Sequence, residues 1–153
     1  MAESSFVCLQ EIGSLVISNE EIIRFSVDSY HGFRYLSIRR YLQTDGFSGA
    51  TRDGVTLTPE ILHALTPRIL ALDNEVKNNH AGSLGKFAKR PGICIVAEVG
   101  LFKGKLGLGL RQDEANARNT GKKLWISLEF LPAIKELFKK SCERFTDIIS
   151  DDF

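Results

Sequence analysis

One segment of this chain is written twice. Tyr30-His31-Gly32-Phe33-Arg34-Tyr35-Leu36-Ser37-Ile38-Arg39 aligns with Phe102-Lys103-Gly104-Lys105-Leu106-Gly107-Leu108-Gly109-Leu110-Arg111 at an offset of 72 residues. Both read aromatic, His or Lys, Gly, six residues, Arg. Further on, Gly54-Val55-Thr56-Leu57-Thr58-Pro59-Glu60-Ile61-Leu62 is matched by Lys123-Leu124-Trp125-Ile126-Ser127-Leu128-Glu129-Phe130-Leu131. Each is a short apolar alternation that ends in Thr or Ser, with Glu two positions later. Two matching segments in the same order mean that the unit one copy forms is present twice, and an approximate twofold axis should relate the two.

The periodicity gives each copy a coarse structure. In Ile22 to Tyr30, Phe25 and Val27 alternate with Arg24, Ser26 and Asp28. His31-Gly32 is a turn signal, and Phe33 to Leu42 alternates again, so the pair reads as a hairpin with one buried face. Thr44 to Asp53 is rich in Gly, Ser, Thr and Asp and reads as loop with room for a short edge strand. Val55 to Leu57 is a short strand. Thr58 is then an N-cap with Pro59 at the first helical position. Ile61, Leu62, Leu65, Ile69, Leu72 and Val76 form an apolar stripe that Pro67 should kink or divide. The second copy repeats this with strands Ile93 to Leu101, Lys105 to Gln112 and Leu124 to Ile126. Asp113 to Lys122 is its polar loop, and Ser127 caps its helix. The leucines Leu106, Leu108 and Leu110 should lie under that final helix. The division that follows is 1–21 as an extra strand or hairpin, 22–76 as the first repeat, 77–90 as linker and 91–150 as the second repeat.

A sheet with its helix on one side leaves the other face open. By parity that face carries Tyr30, Phe33, Tyr35, Arg39 and Tyr41 in the first copy. In the second it carries Phe102, Lys105, Gly107, Gly109 and Arg111. Aromatics stack on nucleobases, Arg and Lys meet phosphates, and glycines let a flat base approach the backbone. The same residues would also suit a protein interface.

Charge points the same way. Residues 1–75 balance to 6 − 10 = −4, and residues 76–153 to 14 − 9 = +5, with nine basic and three acidic groups between 86 and 123. At 43% hydrophobic and 25% charged the chain is an ordinary globular protein that needs no metal or disulfide to fold. Cys8, Cys94 and Cys142 are scattered and odd in number, which fits a reducing compartment. The N-terminal residues lack a basic, then apolar, signal pattern, and no apolar run approaches membrane-spanning length. An intracellular protein is the expectation. His31, His63 and His80 have no partner at ligand spacing, and Gly107-Leu108-Gly109 lacks a following Gly-Lys-Ser/Thr. No enzyme activity and no cofactor are therefore expected.

Each copy resembles the single-stranded-DNA-binding domain of the transcriptional positive coactivator (positive cofactor four) family. The likeness rests on Tyr30-His31-Gly32-Phe33, Ile38-Arg39-Arg40-Tyr41 and Arg52 to Glu60. In the second copy it rests on Phe102-Lys103-Gly104-Lys105, Leu110-Arg111, Gly121-Lys122-Lys123 and Ile126-Ser127. The resemblance implies an α+β fold of two tandem β-β-β-β-α units, an intramolecular pseudo-dimer that grips single strands. It implies nucleic-acid contacts at Tyr30, Arg39 and Arg52, and at Phe102, Lys103, Lys105, Arg111, Lys122 and Lys123. It also implies single-stranded DNA as partner, a transcription role, and the transcription machinery and self-association as further partners. The Pur-alpha and whirly families share the architecture, which keeps RNA as a ligand. His31, Phe33 and Asp53 depart from the family's basic preference. Leu42 stands where the family has a stacking tryptophan, and Trp125 lies elsewhere. A scaffold role for a degenerate copy is the alternative, and the more basic second copy is expected to bind more strongly.

Overall fold

The computed structural model describes residues 7–115 and 122–151, the side chains of 147–151 excepted. Two four-stranded antiparallel sheets, each followed by a helix, make an α+β fold of two tandem units. The first unit holds β1 (Val7–Ser18), β2 (Glu21–Tyr30), β3 (Phe33–Thr44), β4 (Phe47–Leu57) and α1 (Pro59–Leu70). The second holds β5 (Gly82–Arg90), β6 (Ile93–Phe102), β7 (Lys105–Glu114), β8 (Lys123–Ser127) and α2 (Leu131–Asp151). Strand order is sequential in both sheets. No helix among the described residues is long and apolar enough to cross a membrane.

The repeat is visible in the backbone. The β2–β3 and β6–β7 hairpins close on His31-Gly32 and Lys103-Gly104, with φ values of 51° and 81°, and 52° and 80°. Both turns put two successive residues in the left-handed region, as a two-residue hairpin of the sheet's own twist requires. Only the second position is Gly, so His31 and Lys103 carry the strain. The repeat also runs further upstream than its sequence suggests. β1 and β5 pair with β2 and β6 through matching irregularities, between Glu11 and Gly13 in one and between Ser83 and Gly85 in the other. Gly13 and Gly85 are again 72 apart.

These first strands revise three expectations. The extra strand expected within residues 1–21 is present as Val7–Ser18, but it is the first strand of the first sheet rather than an addition to it, and residues 1–6 lie outside those described. The supposed linker 77–90 contains β5, which completes the second sheet. Thr44 to Asp53, read as loop with room for a short edge strand, is mostly β4, an edge strand turned back at Asp45-Gly46 onto β3. The segment 47–53 is polar and held by its ladder, whereas β1 turns Ile12, Leu15 and Ile17, and β5 turns Leu84 and Phe87, onto the core.

The helices follow their caps. The Thr58 hydroxyl accepts from the Ile61 N–H at 3.2 Å, and α1 continues past Pro67 to end at Leu70. Ser127 caps a short 3-10 turn, Leu128–Phe130, and α2 begins only after it. The inner faces of both sheets and both helices share one core, from Ile23, Phe25, Leu36 and Ile38 to Leu108, Leu110, Leu128 and Phe138.

The helices cross between the units. α1 and α2 pack on each other, α2 lies against β1 and β2, and α1 reaches β5. Phe138 of α2 meets Phe25 of β2 edge-on, with ring centroids 5.4 Å apart. The Cys142 thiol donates to the Thr66 hydroxyl at 3.3 Å, and an Arg68 guanidinium N–H to the Leu84 carbonyl at 2.6 Å. Gly13 and Gly85 lie under side chains of the crossing helices. A Cβ at Gly13 would lie 2.8 Å from Leu137 Cδ2, and one at Gly85 would strike Arg68 and Phe87. The leucine row of β7 is covered as expected, Leu108 and Leu110 fully. The element against it is the 3-10 turn Leu128–Phe130, whereas α2 itself is spent on the first sheet.

Candidate nucleic-acid interface

Register places the outward residues. In the second sheet Phe102 pairs with Lys105, Gly100 with Gly107, Glu98 with Gly109 and Val96 with Arg111. On the other side of β7, Gly107 pairs with Ser127, Gly109 with Trp125 and Arg111 with Lys123. These residues share the face away from the core. Phe102 stands 53% exposed at its corner, with Lys103, Lys105 and Lys123 also exposed.

The glycine floor of this face is occupied. The Trp125 indole lies over Gly107, so that a Cβ there would clash with its ring at Cε2, Cζ2 and Nε1. Its Nε1 donates to the Gly100 carbonyl at 3.3 Å, and its ring lies 5.3 Å from that of Phe102, tilted by 50°. At Gly109 a Cβ would meet only Glu98, at 3.4 Å, but at Gly107 the space expected for a base is not free. The chain's own tryptophan fills that space. An aromatic laid across strand glycines restores packing that the missing side chains forfeit. The result is a paired platform, Phe102 and Trp125, with the Lys103 ammonium 5.4 Å from the Phe102 ring.

The platform borders a cleft of about 830 Å³ at the seam between the units. Phe102, Lys105, Arg111, Lys123 and Trp125 line it from the second unit and Ile17, Leu42 and Arg40 from the first, with the carboxylates Glu21, Asp53, Glu98 and Glu129 also on its wall. Arg40 ties the seam: its guanidinium donates to the Trp125 carbonyl at 2.9 Å and pairs with Glu21, while Asp53 lies 3.4 Å away.

Four of the nine residues implied by the resemblance therefore meet at one cleft. Lys122 is exposed immediately before β8, and Lys103 sits in the hairpin turn. Tyr30, Arg39 and Arg52 belong to the other sheet. Tyr30 packs edge-on against His31 at 4.2 Å, Arg39 donates to the Thr51 carbonyl at 3.4 Å, and Arg52 is exposed. The outer face of that sheet is aromatic, with Phe33 66% exposed and Tyr35 and Tyr41 half-buried. Its Arg24 lies over the Tyr41 ring at 4.3 Å and pairs with Glu11 at 2.6 Å.

Arg111 is less available than parity suggests. It bonds Glu98 at 2.6 Å and Asp113 at 3.1 Å. Slight burial works against its charge, but Asp113 and then Glu98 outweigh that and hold its pKa above the ordinary value. A phosphate there must displace two carboxylates. Lys105 is held only loosely, 3.9 Å from Glu129.

A second seam mirrors the first. Lys89, at the end of β5, is the repeat mate of Ile17 (89 − 17 = 72), and Gln112 is the mate of Arg40 (112 − 40 = 72). The Lys89 ammonium donates to the Thr56 hydroxyl of β4 at 2.6 Å and to the Gln112 side-chain carbonyl at 3.0 Å. It lies 5.5 Å from the Tyr35 ring centre. Burial, with Arg90 and Lys122 nearby, lowers its pKa from 10.5 to about 8. The unfolded chain therefore holds a proton that the folded chain gives up, and stability should rise with pH between about 8 and 10.5. The gain should be ~1 kcal/mol after allowing for solvent screening. Urea unfolding at the two ends of this window should show the rise in the native chain and not in Lys89→Met; equal slopes would refute it.

Trp125, Arg40 and Lys89 are the seam residues that sequence reasoning passed over. No protein-family model and no curated protein matches the chain.

Proposed function

We propose that the chain binds single-stranded nucleic acid at the seam cleft and along its outer sheet faces. One observation carries the reading: an exposed Phe102 stands against Trp125 with Lys103, Lys105 and Lys123 around it, beside a cleft of about 830 Å³. An aromatic platform ringed by cations suits a strand whose bases are unstacked and whose phosphates run alongside. A paired duplex offers no open base faces to such a platform. The first sheet presents a related corner, with Tyr30 opposite Phe33 beside the His31 turn. It carries fewer cations, so the second unit is the stronger half. DNA is the ligand we favour, with transcription or single-strand handling as the setting.

Titration with single-stranded and duplex oligonucleotides tests this. Single strands should bind more tightly, with log affinity falling by about 0.7 per log unit of salt for each phosphate contact. Phe102→Ala should cost ~1–3 kcal/mol of binding and leave the salt slope unchanged, because stacking releases no counterions. Tyr30→Ala should cost less. Equal affinity for duplex would sink the stacked mode.

The exposed Val7, Leu9 and Val16 of the edge strand β1 favour a second reading, a scaffold that pairs with a partner's strand. Loss of a protein partner on Leu9→Lys, with oligonucleotide binding absent from the native chain, would support it instead.

A further inference from the structure

The Lys89 seam is not explained by the platform. Its ammonium has three protons, and two are spent on neutral acceptors, Thr56 Oγ1 and Gln112 Oε1. Among the described residues no carboxylate pairs with it and no acceptor takes the third proton. The charged groups that act on it most are cations, Arg90 of its own strand end and Lys122 before β8. From β7 two acids, Asp113 and Glu114, line a hollow with Lys89, but Glu114 is engaged by the Gln112 amide at 3.4 Å and Asp113 by Arg111 at 3.1 Å. From β3 it faces the Tyr35 ring, and from β4 the Thr56 hydroxyl. That hydroxyl accepts from Lys89 and keeps its own proton to donate. Cationic charge is thus gathered on neutral acceptors, half-shielded from water. An anion would relieve that arrangement.

Quasi-symmetry gives the place a meaning. At the first seam Ile17 and Arg40 of one unit flank Trp125 of the other. At the second, Lys89 and Gln112 flank Thr56, the mate of Trp125 in the helix-side numbering of the repeat (125 − 56 = 69). Where one seam presents an aromatic ring, the other presents an amine and a hydroxyl.

We propose that this second seam is an anion subsite, in which a phosphate group accepts from both the Lys89 ammonium of one unit and the Thr56 hydroxyl of the other. That the phosphate belongs to a nucleic-acid strand rests on the proposed function; that an anion binds here does not. A strand laid on the aromatic face of the first sheet would pass Tyr35 and meet this cation, supplied by the opposite unit.

Two probes separate the claims: inorganic sulfate, which is tetrahedral and keeps its charge in the pH range used, and an oligothymidylate. Sulfate should give saturable amide shifts at Thr56 and Gln112, retained in Lys89→Arg and lost in Lys89→Met. Oligothymidylate affinity should fall by up to about tenfold in all as pH rises past about 8, in the native chain. In Lys89→Arg it should stay flat and tight, since arginine remains charged. In Lys89→Met it should stay flat and weaker by about tenfold at neutral pH. Sulfate shifts without any oligonucleotide binding would keep the subsite and remove the strand. Absence of sulfate shifts, or an oligonucleotide pH profile that is the same in Lys89→Met, would overturn the subsite. The arginine variant guards against a trivial folding defect.

Discussion

Phe138→Ala should destabilise the whole chain by ~3–5 kcal/mol, with both units lost in one transition. Phe138 is fully buried, and its ring meets Phe25 of the first sheet although it belongs to the second unit's helix. Removing it leaves a cavity between units rather than within one. If each unit folded around its own helix, the damage would stay in the second sheet. Here α2 lies on β1 and β2 while α1 reaches β5, so the cores cannot be separated. Amide exchange is the sensitive readout. Protection should fall at Ile23, Phe25 and Val27 as much as at Ile95 and Leu108. A loss confined to residues after 91 would mean the units are energetically independent, and would contradict the crossed helices.

That crossing was beyond the reach of the sequence. The apolar stripe of α2 says that Ile134, Leu137 and Phe138 are covered, but a stripe carries no address for the covering sheet. The hairpins were legible because their turns demand particular chemistry: an αL pair is written His31-Gly32 and Lys103-Gly104, and strand parity then follows. Tandem sheet-plus-helix units were legible for the same reason. β1 and β5 were obscure because their irregularities at Gly13 and Gly85 shift parity midway, so neither strand alternates cleanly. β4 was obscure because Phe47 to Asp53 has almost no apolar content and is held by β3 alone. At the candidate site, Phe102, Lys105, Arg111 and Lys123 followed from parity and the resemblance. Trp125 did not, because two offsets operate. The β2–β3 hairpin repeats at 72, but the strand before the helix repeats at 69, as the caps Thr58 and Ser127 show (127 − 58 = 69). Only the pairing of β7 with β8 brings Trp125 opposite Gly109. Lys89 was hidden by composition, since a basic, glycine-containing stretch reads as linker.

Gly107→Ala should remove the platform that the proposed function needs. The added methyl would occupy the space of the Trp125 indole, which must swing off the sheet. The swing breaks the Nε1 bond to the Gly100 carbonyl and the ring contact with Phe102. Gly107 has an ordinary strand conformation, so the cost is steric rather than conformational, ~1–3 kcal/mol of stability. The chain has a single tryptophan, so its fluorescence reports this residue alone. Emission should shift to the red in the variant as the indole enters water. In the native chain a bound oligothymidylate should quench it by stacking, and in Gly107→Ala the quenching should fall together with the affinity, the latter by the ~1–3 kcal/mol of one stacked base. Gly109→Ala is the control. A Cβ there meets only Glu98, at 3.4 Å, so emission and binding should stay near native. If Gly107→Ala shifts the emission yet leaves oligonucleotide affinity intact, the strand does not use this platform. The interface would then move to the tyrosine-lined face of the first sheet.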